Sequence, residues 1–597
     1  MRLFLSVIFL CLLLLGICAP AKARTLGPPE PRPAYQPPPK QPDHELYKRI
    51  FELQERAQWA SADRLIRELD DTTLLGHVYR LRYMHPTAYR SKWSELSDWL
   101  KKYADHPGAW QVYHLAKKRR PKGARMPKPP PARVYNQTYA SSMPTVRTFY
   151  KRSTQRIRRE VNRLTYRERP TQALRYISKR SVDRQLSAAE TDLLRSKISR
   201  SYFIEGKPSK ALEIAQLATR SRHVVTLSDW HAGLAAWRLN KFDVAVTHFT
   251  YLSENENAKD RYRAAASVWA ARSYLALNKN PEATLMLEEA VKYGRNDFYG
   301  LLAYRRLNGP VAFSWTQTSL HESETIENLD AVQRALKLLA ADQQELTELE
   351  LLNIRNRLTR PQQKALLELA INLKLSAVEL AMTEILEYGN ERTPHVLPEG
   401  YYPIHDYMPS GDYKVDKALV FALIRQESRF KARAKSRVGA RGLMQIMPST
   451  AAFMTGDRKY RYKSGRDRLY DISVNLDIGQ SLLFKLLGEK SMENNLIKVL
   501  ASYNAGSGKV KRWTREIGRP DDPLLFMESM SAPETRLYVQ KVMANLWIYR
   551  DRLNQPSPSL DELASGKWPI YRSQPDMQIE TKNRKNGLVK ITADVFN

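Results

Sequence analysis

Residues 416–430 read Asp416-Lys-Ala-Leu-Val-Phe-Ala-Leu-Ile-Arg-Gln-Glu-Ser-Arg-Phe430. Asp416 has the side chain of a helix N-cap, and the seven positions after Lys417 are all apolar. Two alanines and two leucines among them favour helix over strand, and a helix that is apolar all round is a buried one. Arg425-Gln426-Glu427-Ser428 breaks the pattern in what would be the last turn. A carboxylate there sits near the negative end of the helix and at the edge of a buried element. Both effects disfavour its charged form and raise its pKa, which suits Glu427 to act as a general acid. A surface glutamate paired with Arg425 or Arg429 is the other reading of the same residues.

Three further segments downstream carry polar groups in tight turns. In Ser436-Arg-Val-Gly-Ala-Arg-Gly-Leu-Met-Gln-Ile-Met-Pro448, Gly439 and Gly442 allow close backbone approach. Gln445, set between Leu443, Met444 and Ile446, is a polar group that needs a partner. An amide at a cleft suits the hydroxyl and acetamido groups of a sugar; a glycine-hinged helix start around a satisfied core glutamine also accounts for it. Ala501-Ser-Tyr-Asn-Ala-Gly506 offers another turn, presenting Tyr503 and Asn504. Ser531-Ala-Pro-Glu534 has the spacing of a capping box ahead of a helix over 535–553, so Glu534 reads as a helix cap as well as a site residue.

Much chemistry is excluded here. All 11 histidines lie at or before His405, and the two cysteines are Cys11 and Cys18. Residues 406–597 therefore hold neither a Ser-His-Asp or Cys-His arrangement nor a His/Cys zinc site. No Asp/Asn-rich loop ending in Glu matches a calcium-binding hand. Gly506-Ser-Gly-Lys509 fails as a phosphate loop, because Val510 replaces the Ser/Thr and Tyr503 stands where the first glycine belongs. Carboxylate, phenol and amide chemistry remain, with no metal and no cofactor expected.

Upstream, from about 185 to 385, the periodicity is that of a helical array. Three second helices align on Gly206-Lys207-Pro208…Ala211, Asn240-Lys241…Ala245 and Asn278-Lys279-Asn280-Pro281…Ala283. The anchor alanines are 34 and 38 residues apart, close to the helix hairpins that stack as solenoids. Small residues there let paired helices approach, and Trp237, Trp269 and Tyr274 are expected to fill the seams as core. A loop around 390–405, with Pro394, Pro398 and Pro403, marks a domain boundary. The polar stretch after Asn554 is expected to be a weakly ordered tail over 556–597.

The N-terminal end reads as an address. Arg2, an apolar stretch from Leu3 to Ala19 and Ala21-Lys-Ala23 read as a secretory signal peptide over 1–23; an uncleaved anchor is the other reading, at the short limit for a membrane span. Both cysteines lie inside it, so the mature chain carries no thiol or disulfide. No other stretch is long and apolar enough to span a bilayer. Residues 24–42 form a Pro-rich spacer, and helical periodicity begins at Asp43. A Pro-rich basic insert follows at 117–145, and between Lys117 and Arg169 there are 17 basic residues against Glu160 and Glu168. That run is read either as a contact patch for an anionic polymer or as a solvated basic face.

The 597 residues carry a formal net charge of +33, and loss of Arg2 and Lys22 on cleavage lowers it by two. A secreted chain of this charge is unsuited to nucleic acid as a partner and better suited to an anionic polymer outside the cytoplasm. With 43% hydrophobic and 27% charged residues it can build several cores, and its length suggests about four domains.

The runs ALVFALIRQESRF at 418–430, SRVGARGLMQIMP at 436–448, SYNAGSGKV at 502–510 and PETRLYV at 533–539 resemble, in order, the four motifs of the soluble lytic murein transglycosylases. The helical array behind a signal peptide resembles the large, ring-shaped superhelical members of that family. The resemblance implies a mostly α chain, with an N-terminal helical-repeat superhelix over 43–395 and a lysozyme-like transglycosylase domain over 396–555. It implies periplasmic cleavage of the β-1,4 bond between N-acetylmuramic acid and N-acetylglucosamine, ending in a 1,6-anhydromuramoyl product. Glu427 aligns with the single catalytic acid; Ser436, Gln445, Met447, Tyr503 and Glu534 would line the glycan groove, with Tyr503 positioning the reacting sugar. The substrate's acetamido group would stabilise the positive centre, so no second carboxylate is demanded. Ser502 and Ser507 stand where the family's alanine and proline are expected, and the basic insert at 117–145 has no family counterpart.

Two rival readings stand beside this one. A muramidase, in which water attacks, would need a second positioned carboxylate, and Asp467, Asp471 and Glu534 are the nearby candidates. A non-catalytic scaffold would use the solenoid to recruit cell-wall machinery proteins, a partner class that could also coexist with catalysis on glycan strands.

Overall fold

The computed structural model describes residues 42–85, 87–132, 151–309, 311–316, 325–387, 396–518 and 521–574. The signal-type segment, nearly all of the Pro-rich spacer and residues 133–145 of the basic insert lie outside the described residues. Among the described residues no helix is long and apolar enough to cross a membrane.

The repeat is a set of helix hairpins: Ala188–Ile204 with Pro208–Ala218, Leu227–Arg238 with Phe242–Glu254, and Asp260–Ala276 with Asn280–Gly294. Each hairpin turns through a left-handed residue at the same place, Gly206 (φ 71°), Asn240 (φ 57°) and Asn278 (φ 58°), where Gly and Asn meet the least steric resistance. The anchor alanines Ala211, Ala245 and Ala283 are buried. Trp269 is fully buried, with Trp237 at 5.4 Å and Trp230 at 6.4 Å in edge contacts, while Trp237 and Tyr274 pack half-buried against the same core. These aromatics are core, as expected.

The first helices, from Asp43–Glu55 to Ala109–Arg119, bury their apolar faces in cores separate from that of this array. Tyr47, Ile50, Phe51, Leu74 and Val78 share a core with Leu338, Ala341 and Leu346. A buried polar network reinforces the joint: Glu350 Oε1 lies 2.6 Å from His77 Nε2 and 2.9 Å from Arg334 Nε, and Arg334 Nη2 donates to Asp105 Oδ2 at 2.8 Å.

In the C-terminal region the helix Lys417–Glu427 packs against Pro533–Arg552, the longest described helix. Asp416 caps it as expected, Oδ1 accepting Leu419 N at 2.9 Å. Its Oδ2 receives Arg550 Nη2 at 3.1 Å, with both side chains fully buried.

The stretch after Asn554 differs from the weakly ordered tail expected. Pro558–Ala564 is a helix, Trp568 packs edge-on to Phe526 at 5.3 Å, Pro569 O accepts Leu496 N, and Tyr571 Oη accepts Asp416 N at 3.0 Å. The apolar Leu560, Leu563 and Trp568, scattered among polar neighbours, supply the contact that composition concealed. Residues 575–597 lie outside the described residues.

Scaffold and C-terminal region share one core, running from Ile157 to Leu563. They also share a two-stranded parallel sheet, Ser314–Thr316 with Val396–Pro398. Polar joints repeat the theme: Tyr299 Oη donates to Glu528 Oε1 at 2.9 Å, and Asp522 Oδ2 receives Trp237 Nε1 at 3.1 Å and Arg272 Nη2 at 2.7 Å.

Candidate active site

Glu427 is the last residue of its helix, and the chain then reverses through two consecutive left-handed residues, Arg429 (φ 54°) and Phe430 (φ 63°). Neither is glycine, so the turn costs on the order of 1–3 kcal/mol per residue, which the full burial of Phe430 helps to offset. Burial pushes the Glu427 carboxyl up to about 7. A hydrogen bond from Tyr538 Oη to Oε1 at 2.7 Å opposes that shift, because it favours the charged form.

The ion-pair reading of Glu427 does not describe the structure. Arg425 donates to Tyr401 O at 2.8 Å and to Asn545 Oδ1 at 3.2 Å, lying over the Tyr402 ring at 4.3 Å. Arg429 pairs with Glu384. Both guanidiniums are thus engaged elsewhere, and Glu427 is met by the Tyr538 phenol.

The segment 436–446 is a tight, fully tied loop. Ser436 N donates to Ala440 O at 3.0 Å and Ala440 N to Ser436 Oγ at 2.9 Å. Arg441 and Ile446 exchange backbone hydrogen bonds. Gly442 takes φ +80°, and a Cβ there would fall on Asn475 Nδ2 and Leu469 O, so the position accepts only glycine. Asn475, fully buried, anchors the loop from below: Oδ1 accepts Met444 N at 2.8 Å, and Nδ2 donates to Arg441 O at 3.0 Å and Leu469 O at 2.7 Å.

Gln445 sits at φ 49°, and its Nε2 donates to Ala434 O at 3.0 Å and Gly442 O at 2.9 Å. The amide nitrogen is thus engaged in holding the turn, which leaves the oxygen as the group it can offer a ligand. Met447 is half-buried and immediately precedes the helix Pro448–Thr455.

Tyr503, near the end of Leu496–Ala505, donates from Oη to Met444 O at 2.9 Å, tying its helix to the loop. Burial, and next the nearby Glu427 charge, push its phenol well above its ordinary value, as they do for Tyr538. Glu427, Tyr503 and Tyr538 are therefore one electrostatic cluster with neutral phenols.

Glu534 is exposed in the first turn of Pro533–Arg552. The capping box expected from Ser531 does not form: the N-cap is Ala532, and Ser531 Oγ accepts Trp513 Nε1 at 2.9 Å instead. Thr535 Oγ1 donates to Asn504 Oδ1 at 2.8 Å and joins the third and fourth motifs. Glu534 stands one helical turn before Tyr538, on the same face and about 6 Å along the axis.

Tyr538 is the site residue that sequence reasoning missed. Its signal was present in PETRLYV at 533–539, where the i, i+4 spacing from Glu534 puts it on the face turned to Glu427. Of the rival carboxylates, Asp471 caps Ile472–Gly488 through Val474 N at 3.0 Å and receives Ser473 Oγ, while Asp467 is exposed. Glu427 is the carboxylate raised by burial in this cluster.

Among the described residues, the His/Cys/Asp/Glu group close enough for a metal is His77, His106 and Glu350, in the scaffold, with ligand atoms within 4.8 Å of one another. Glu350 there is already engaged by His77 and Arg334.

Residues 408–526 match the Transglycosylase SLT domain family. The chain is similar to the soluble lytic murein transglycosylase of Escherichia coli K12, 27% identical over 295 residues, a stretch that covers 49% of this chain and 44% of that relative. Among solved structures it resembles lytic transglycosylase Slt of Pseudomonas aeruginosa, an inactive glutamate-to-glutamine mutant, with a TM-score of 0.53, 21% identity and 86% and 87% of the two chains covered. It also resembles the 70-kDa soluble lytic transglycosylase in complex with bulgecin A, with a TM-score of 0.52, 16% identity and 89% and 98% covered. The helical scaffold followed by an SLT domain is thus a shared fold.

Proposed function

We propose that this chain, with its SLT domain at 408–526, is a lytic transglycosylase that cleaves the β-1,4 bond between N-acetylmuramic acid and N-acetylglucosamine in periplasmic peptidoglycan. The observation that carries the reading is the Glu427 carboxyl, raised to about 7 by burial and hydrogen-bonded by Tyr538 rather than by a cation. Such a group is protonated often enough at neutral pH to donate and ionised often enough to accept.

With Tyr538 holding Oε1, Oε2 is free to meet the glycosidic oxygen. The protonated acid delivers its proton to that oxygen as the C1–O bond breaks. The substrate's acetamido group supports the positive centre at C1, and the resulting carboxylate then takes the proton of the C6 hydroxyl as O6 closes on C1. One proton is given and one recovered, no water is consumed, and the product is a 1,6-anhydromuramoyl end. Ser436, Gln445, Met447, Tyr503 and Glu534 line the groove in this reading, and Tyr503 positions the reacting sugar. The inactive glutamate-to-glutamine mutant of the Pseudomonas relative is consistent with a single essential glutamate.

The test is digestion of purified peptidoglycan with residues 24–597, wild type and Glu427→Gln, with products read by mass spectrometry. Anhydro-ended muropeptides from the wild type alone are expected. Reducing-end products would mean that water attacks, and no product from the wild type would leave a glycan-binding scaffold.

A further inference from the structure

The helix Arg152–Tyr166 lies in the basic run, and its two faces are sharply divided. Thr154, Ile157, Val161 and Leu164 are buried, the last three in the main core. Arg152, Arg156, Arg159 and Arg163 follow one another at spacings of 4, 3 and 4 residues, which sets them in a row on the opposite face. At 1.5 Å per residue that row is about 16 Å long. All four side chains are exposed, as is Arg167 one turn further on. Glu160 is the one acid in this helix, and Arg163 holds it, Nε donating to Oε2 at 2.8 Å.

The excess continues past the helix. Residues 151–184 hold twelve lysines and arginines against Glu160, Glu168 and Asp183, and all twelve are exposed. The helices Pro170–Ile177 and Arg180–Asp183 bury Ala173, Ile177 and Val182 and leave Arg175, Lys179, Arg180 and Arg184 outside. Like charges this dense repel one another, so the face gains from any anion that approaches it. Ten of the twelve are arginine. A solvated surface is served as well by lysine, whereas the guanidinium fork matches two oxygens of one phosphate.

Shape narrows the class of anion. These cations stand on the crest of a helix rather than in a cleft, which suits an extended surface better than one small ligand. Tyr166 is 91% exposed at the end of the row, three residues after Arg163. A phenol ring in that position gains little from water, but at a membrane surface it sits among the headgroups. Phosphates in a fluid lipid layer shift sideways to meet any spacing of arginines, which a stiff polymer cannot do. A single aromatic at one end offers no succession of platforms for nucleic-acid bases. Among the described residues no helix is long and apolar enough to cross a membrane, so attachment through this face is electrostatic and superficial.

We propose that the arginine row of Arg152–Tyr166, with Tyr166 at its end, docks the protein peripherally and reversibly on an anionic phospholipid surface. The test is co-sedimentation of residues 24–597 with vesicles, one set of mixed phosphatidylglycerol and phosphatidylcholine and one of phosphatidylcholine alone. Soluble polyglutamate at matched charge serves as the competing polyanion. The variant combines Arg152→Gln, Arg156→Gln and Arg159→Gln; the positions are exposed and glutamine is a good helix former, so thermal melting should match the wild type. A control combines Lys241→Gln, Lys259→Gln and Lys279→Gln, which removes the same charge from exposed positions elsewhere.

Expected is binding of the wild type to the phosphatidylglycerol vesicles alone, released at about 1 M salt, where the screening length falls to roughly 3 Å. The arginine variant should bind roughly a hundredfold more weakly, and the lysine control within about threefold of the wild type. Three results would each overturn the proposal on the wild type alone: no binding to the anionic vesicles, equal binding to neutral ones, or displacement by polyglutamate at matched charge. The last would make the face a general polyanion surface. An arginine variant that binds as the wild type does, or a lysine control that loses as much, would also sink it, because net charge and not this row would then be responsible.

Discussion

Glu427 and Tyr538 set the pH response of the site between them. A phenol donating to the carboxylate favours the charged form, so Tyr538→Phe should raise the Glu427 pKa further above its present value of about 7. The acid then stays protonated to higher pH, and the alkaline limb of the kcat/KM profile moves upward. Loss of positioning should lower kcat roughly tenfold, equivalent to about 1.4 kcal/mol in the barrier. Profiles of wild type and Tyr538→Phe on the same glycan check both parts, and an alkaline limb that stays put would mean that Tyr538 does not control the carboxyl. The sequence showed Glu427 because its helix is apolar up to one point and polar beyond it. Tyr538 was hidden because a tyrosine in a helix as heavily buried as Pro533–Arg552 looks like packing; only the partner 111 residues away in sequence gives it a role.

At the scale of the element, the loop 436–446 depends on a residue outside every motif. Asn475 meets two carbonyls and one amide of the surrounding backbone with one buried side chain. Asn475→Ala leaves Met444 N and Leu469 O without the partner it supplies, while Arg441 O keeps Ile446 N, and about 1–3 kcal/mol per lost buried bond, partly relieved by relaxation, predicts destabilisation of about 2–4 kcal/mol. Met444 O is also the acceptor for Tyr503, so activity should fall even at temperatures where the variant is folded. Urea melts paired with activity at low temperature measure the two effects, and an active variant of wild-type stability would refute the anchoring role. Local signals made the glycines and the array legible: Gly206, Asn240 and Asn278 announce left-handed turns by residue type alone. Asn475 and the fold of 558–572 were not legible, since each is stabilised by contacts that no local pattern encodes, Asn475 under Gly442 and Tyr571 on Asp416.

At the scale of the molecule, ionisable groups buried at the joints make stability a function of pH in two opposed ways. Glu427 and Asp297 at about 7, and Glu348 at about 8, are carboxyls raised by burial. Their ordinary values are near 4, so the folded chain binds their protons first. Their contribution is full at low pH and is lost as pH rises through 7–8. His77 and His405 at about 4, and His231 at about 3, are lowered by burial, His77 against Glu350 and His405 against Gln344. For these the unfolded chain binds protons first, near 6.5, so stability is present above that value and is lost as pH falls toward 4. Between about 6.5 and 4.5 the three acids and three histidines largely cancel. Above 6.5 the acids act alone, and below 4 the Asp105 carboxyl, held far below its usual range by His106 and Arg334 despite burial, adds to the loss. Melting temperature should therefore rise as pH is lowered from 8.5 to about 6.5, stay nearly level to about 4.5, and fall steeply below 4. Glu427→Gln removes one of the three acids, so it should raise stability at pH 8.5, by roughly 1–2 kcal/mol after allowance for partial solvent exposure, and change little at pH 5. Melting curves across this range for both proteins check the dome, and a maximum at pH 8 or above in the wild type would contradict the burial of these carboxyls.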